Sequence, residues 1–175
     1  MSVDHAHIYP NVFERQAGES WSRLAIGARE ETVDLMLDLC RTFEGPYSVL
    51  YILKVTRKRN ECARYQSENE MDFEEIELFF DFFREYFEQD GRHHVWIGAD
   101  GGNHQLSYDN HDLLYAYGNL KRYEAHLTQA GFSEGAVEIP LPHAHHYHEA
   151  FDPAETAILN YWPWTKSPLL DIDRL

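Results

Sequence analysis

Three features of the sequence predict an α+β fold. Amphipathic stretches of helical period alternate with short apolar segments. Those segments come in pairs joined by brief polar or glycine-rich turns, as hairpins do. The second helical stretch carries an aromatic stripe so wide that a sheet or another helix must cover it. We therefore expect one domain over residues 1–175, with an antiparallel or mixed sheet of about five to six strands built from hairpins and three to four α-helices packed on it.

Residues 1–27 carry Pro10, Gly18 and Gly27 without clear periodicity, and read as an irregular N-terminal arm with a short strand near residues 21–26. From about Glu30 to Phe43, Val33, Met36, Leu37, Cys40 and Phe43 recur at steps that share a helix face, with Thr32 or an acidic neighbour as the start. Gly45 and Pro46 stop that helix. Residues 47–56 are aromatic and β-branched, a buried strand; Arg57 to Asn60 turn the chain, and residues 61–66 return as its partner. Asp72 with Glu75 has the form of a capping box, opening a helix that runs to about Gln89. Strands over 94–99 and 104–108 flank the turn at Gly101 and Gly102, and 113–117 reads as a further strand in preference to a helical turn. A helix follows over 120–130, closed by Gly131. Residues 136–139 begin another strand, limited by Pro140 and Pro142. Asp152, Pro153 and Glu155 supply an N-cap, a first-turn proline and an acid for the last helix, to about Tyr161. Residues 162–175 read as an irregular apolar tail that packs back on the body.

The chain has 15 basic and 30 acidic residues, a formal charge of −15. Such a field repels nucleic acid and anionic membranes and draws in basic partners. The basic run Lys54, Arg57, Lys58, Arg59 and Arg64 reads as a charged hairpin turn, or one paired with the protein's own acids, rather than a phosphate grip. No apolar run is long enough for a membrane span, and no secretory signal is visible. Cys40 and Cys62 form no CxxC pair and read as reduced thiols, which places the protein in the cytoplasm.

Four of the eleven histidines, His143, His145, His146 and His148, fall within six residues. Imidazole is the commonest metal ligand. On an extended chain these four divide between two faces, two to each, so a site needs a ligand from elsewhere. His111 and Asp112, with Asp109, are the first candidates from the loop after 104–108; Glu149 and Asp152 are further ones. A divalent transition metal such as zinc suits such a set. The alternative is an edge strand or loop whose imidazoles meet water, carbonyls and acids. His93, His94 and His104 flank the second hairpin as separate polar positions at strand ends. The sequence lacks HExxH, GxSxG and a glycine loop that opens a helix, and its alternating histidines end at Tyr147 where a histidine triad would need a third. Glu74, Glu75, Glu77 and Asp81 read as a solvated helix face.

Two functions of different class are consistent with this pattern. The first is a small acidic cytosolic binding protein without catalysis, which neutralises or scaffolds a basic protein partner. The second is a metal-dependent enzyme using the 143–148 cluster and a nearby carboxylate. A homodimer through an edge strand or the aromatic tail is compatible with either.

Overall fold

A computed structural model describes residues 8–140 and 145–174. It is an α+β structure with one mixed nine-stranded sheet and five α-helices among those residues. The strands are β1 (Val12–Ala17), β2 (Ser22–Gly27), β3 (Tyr47–Leu53), β4 (Arg64–Ser67), β5 (His93–Ala99), β6 (His104–Tyr108), β7 (Leu113–Tyr117), β8 (Ser133–Glu134) and β9 (Trp164–Ser167). The helices are α1 (Thr32–Cys40), α2 (Phe73–Phe82), α3 (Arg84–Gln89), α4 (Leu120–Gln129) and α5 (Asp152–Leu159). The sheet order is β8-β1-β2-β7-β6-β5-β3-β4-β9, and every pairing is antiparallel except β1 with β8.

The sheet has more strands than the five to six expected, and the additions lie at its margins. Residues 12–27, expected as an irregular arm with one short strand, form the β1–β2 hairpin. Residues 164–167, expected as tail, form β9 against β4. The strand expected over 136–139 is absent. Its place is taken by the two-residue β8 beside β1, because Gly131 ends α4 with a positive φ of 89° and the chain turns back at once. The ladder then stops: Gly135 N–H still reaches the Phe13 carbonyl at 3.0 Å, but Val137 N–H donates to the Glu14 carboxylate instead of a strand.

Register explains the core. Phe13, Ile26, Leu114, Tyr108, Val95, Tyr51 and Tyr65 are successive cross-strand partners, so they share one face of the sheet. All are buried, in one cluster with Val33, Met36 and Leu39 of α1, Ile76, Phe79 and Phe80 of α2, and Tyr123 and Leu127 of α4. Full burial of a side chain such as Phe79 or Phe80 is worth roughly 1.5–3 kcal/mol, so this aromatic layer is a main source of stability.

Helix starts follow three different rules. The capping box at α2 forms as the sequence implies: Glu75 N–H donates to Asp72 Oδ1 at 2.9 Å and Asp72 N–H to Glu75 Oε2 at 3.0 Å. At α1 the cap is remote. Glu31 precedes the helix with a positive φ of 56°, and the Glu88 carboxylate of α3 accepts from Val33 N–H at 2.9 Å. At α5, Asp152 is the first helical residue and makes no cap bond; Phe151 holds the N-cap position, and the Asp152 carboxylate turns to Arg92. The helix expected over 72–89 is interrupted at Phe83, whose φ of −105° and ψ of 13° separate α2 from α3 without any glycine or proline.

Candidate functional site

The histidine segment rests on one corner of the sheet, where β5 begins and the β6–β7 loop turns. His143 lies outside the described residues. From His145 to His148 the backbone is tied to the residues that lead into β5. Gly91 N–H donates to the His146 carbonyl at 2.9 Å, His148 N–H to Asp90 Oδ2 at 2.8 Å, and Arg92 Nη2 to the His148 carbonyl at 2.9 Å. The imidazoles divide as the alternation predicts. His146 and His148 stack on one side with ring centres 6.1 Å apart, while His145 faces the β6–β7 loop, 5.1 Å from the His111 ring.

His145 is held by Asn110. Its Nδ1 lies 2.9 Å from the Asn110 backbone carbonyl, which can only accept, so Nδ1 carries the proton. Nε2 of the neutral ring then accepts from Asn110 Nδ2 at 3.1 Å, and Asn110 Oδ1 accepts from His94 Nε2 at 2.8 Å. Burial lowers the His94 pKa, against the Asn110 bond and nearby Asp109. Asp109 shapes the loop: its Oδ1 accepts from the N–H groups of His111 and Leu113 at 2.9 and 3.1 Å, and Oδ2 sits 3.2 Å from His111 Nδ1. Asp112, with a positive φ of 59°, points its carboxyl elsewhere, accepting from the Tyr108 hydroxyl at 3.1 Å. Burial of that carboxyl, then Asp109 and Glu88, push it up to about 6 despite the Tyr108 bond.

The sequence-derived set is thus brought together in part: His145 meets His111, His146 meets His148, and Asp112 leaves. A metal ion at His145 has to displace Asn110 from a ring nitrogen. Among the described residues no group of three or more His, Cys, Asp or Glu is placed to hold a metal ion.

Beside this corner lies a constellation that the spacing of the sequence does not reveal. Arg92 is completely buried and spends its guanidinium on three carboxylates. Nε and Nη2 take Asp90 at 2.7 and 2.9 Å, and Nη1 takes Asp152 at 2.9 Å and Glu155 at 2.7 Å. Burial works against the Arg92 charge, but bonds to Asp90, Glu155 and Asp152 outweigh it and raise its pKa. Asp152 also takes Arg57 at 3.2 Å and Lys58 at 3.3 Å. Burial would raise its pKa, yet hydrogen bonds from Arg92 and Lys58 hold it below the usual carboxylate value. Arg64 pairs with Asp173 at 2.7 Å. The basic run of 57–64 is therefore largely consumed internally, in line with pairing to the protein's own acids.

The surplus of negative charge lies in the two segments that carry α1, α2 and α3, about half of it on the helices themselves. Residues 30–44 and 68–90, which contain α1, α2 and α3, hold 15 acidic and 2 basic residues, a net of −13 out of −15. The rest of the chain holds 15 acidic and 13 basic residues and is close to neutral. The two cations bolt the helices together. Arg41 pairs with Asp38 of its own helix and Glu77 of α2, and Arg84 with Asp34 of α1 and Asp81 of α2. On the same surface Leu78 and Phe82, one turn apart on α2, are 59% and 72% exposed. A count of acids and bases by segment would have found this feature from sequence alone. Comparison with family models, with curated proteins and with solved structures finds no match for this chain.

Proposed function

We propose that this protein is an acidic binding protein whose α1–α3 layer docks a basic protein partner, neutralising it or holding it in place. The observation that supports this reading most is the segregation of charge: residues 30–44 and 68–90, which carry the α1–α3 layer, hold a net −13, and the rest of the chain is nearly neutral. Uniform solubility charge has no reason to concentrate in two segments of the chain. A concentrated field steers an oppositely charged partner to one face and raises its rate of encounter. Leu78 and Phe82 supply apolar contact within that field. A cytoplasmic setting fits two free thiols, Cys40 buried and Cys62 half-buried. Among the described residues no helix is long and apolar enough to cross a membrane. A homodimer through the outer edge of β9 is a weaker fit, since Lys166, held by Glu61, puts charge on that edge.

The test is fluorescence anisotropy of a labelled Lys/Arg-rich peptide titrated with the protein at about 50 and 300 mM salt, a range over which a Debye length shrinks substantially. The reading predicts binding at low salt that weakens at least about tenfold at high salt. No binding at low salt, or an affinity indifferent to salt, removes it.

A second reading is zinc at the histidine corner, with His143, His145, His146, His148, His111 and Asp112 as the pool of ligands. The approach of His111 and His145 favours it. Calorimetric titration with zinc decides: one equivalent bound by wild type and lost in His145→Ala supports a site, and no heat of binding ends the reading.

A further inference from the structure

The exposed Phe82 borders a groove of about 570 Å³ between the α2–α3 junction and α5. Its base is aromatic: Phe83 and Tyr86 are buried beneath it, and the Tyr86 hydroxyl is spent on Tyr51 at 2.7 Å, so the groove meets ring surface rather than a free hydroxyl. The opposite wall is α5, where Ala154 and Ala157, one turn apart, present only methyl groups and leave the space open. Phe151 closes one end, edge-on to Tyr86 with centres 6.1 Å apart. The rim is acidic. Asp81 and Glu85 both line the groove, and no ion pair among the described residues engages Glu85. Arg84, a cation of the same lining, is already shared between Asp34 and Asp81.

We propose that this groove seats one aromatic side chain of the basic partner, flanked by a lysine or arginine that meets Glu85. The inference rests on the reading of the α1–α3 layer as a docking face for a basic protein, and adds where its anchor goes. An apolar slot rimmed by carboxylates suits a ring beside cations, and aromatic anchors in such pockets carry much of the affinity at protein interfaces. A second copy of this chain is a poor occupant, since it would bring another pair of segments of net −13 against the first. The groove makes specificity out of a field that alone would attract any cation.

Two labelled synthetic peptides of equal length and equal Lys/Arg content, one with a central tryptophan and one with alanine there, are titrated against the full chain at low salt. The tryptophan peptide is expected to bind at least about tenfold more tightly to wild type. That advantage should fall below about threefold in Ala157→Phe, which fills the groove and keeps its affinity for the alanine peptide, and in Phe82→Ala, which removes an exposed wall. Equal affinities in wild type overturn the groove and leave the charge reading standing. An advantage that survives both variants places the ring elsewhere and overturns it too. Binding of neither peptide removes the charge reading and the groove with it. A concentration-dependent dimer lost in Phe82→Ala, measured by light scattering, puts a second copy in the groove and overturns the proposal.

Discussion

His93 faces the core from the first position of β5, among Tyr51, Tyr86 and Phe87. Its Nε2 lies 3.4 Å from the Tyr86 carbonyl and so carries the proton, while Nδ1 is buried without a hydrogen-bond partner. Burial, against the nearby Asp90 charge, lowers its pKa from 6.5 to about 4. Between those values the unfolded chain takes up a proton that the folded chain refuses. Stability is therefore fully present above about pH 6.5 and falls as the pH drops toward 4, by about 2 kcal/mol between pH 7 and pH 5. Asp112 acts in the opposite sense, since its raised pKa favours the folded state as the pH falls through about 6. The His93 contribution is thus read as a difference. Urea unfolding of wild type and His93→Phe should show wild type losing more stability from pH 7 to pH 5, and parallel curves would count against this account. In the sequence His93 reads as a polar position at a strand end. The register of β5 makes it a core residue, because it pairs with Leu53 on the buried face.

Arg92 joins elements that are far apart in the chain. It precedes β5, its carboxylate partners Asp152 and Glu155 belong to α5, and its bond to the His148 carbonyl fastens the segment before that helix. Glu155 extends the joint, its Oε1 accepting from Thr56 Oγ1 at 2.5 Å and Asn60 Nδ2 at 2.8 Å in the β3–β4 connection. Loss of the guanidinium leaves buried carboxylates facing one another. Arg92→Leu should cost about 3–5 kcal/mol in denaturant unfolding, with α5 and residues 145–148 the first to exchange amide hydrogens. A loss near the ordinary surface value of about 0.5 kcal/mol would show the joint to be dispensable. None of this is legible from spacing, because the partners stand 60 and 63 positions away. After Asp90 and Gly91, an arginine simply reads as part of a polar turn. Elements whose signal is local were legible: the α2 capping box, the Gly131 stop and the β5–β6 hairpin. The marginal strands were not. β1 is half polar and β9 mostly polar, and their pairing depends on strands already placed.

At the scale of the molecule, the expected α+β class holds because period and turn chemistry agree along the chain. The sheet is wider than expected because its edges carry little apolar pattern. The histidine cluster drew attention by density, yet its described members meet a loop asparagine and one another. The acidic surplus, read in the sequence as a total, becomes informative once it is counted by segment and α1, α2 and α3 are seen to lie together with Leu78 and Phe82 on their surface. The most direct test compares two charge variants of equal net change, both measured against the same Lys/Arg-rich peptide at low salt. One carries Glu74→Gln, Glu77→Gln and Glu85→Gln on the helical layer; the other carries Glu14→Gln, Glu134→Gln and Glu138→Gln on or just after the β1 and β8 strands at one margin of the sheet. A docking face on the helices entails at least about a tenfold loss of affinity for the helical variant and no more than about twofold for the other. Equal losses would show that only total charge matters, and would contradict the claim that the α1–α3 layer is the docking face.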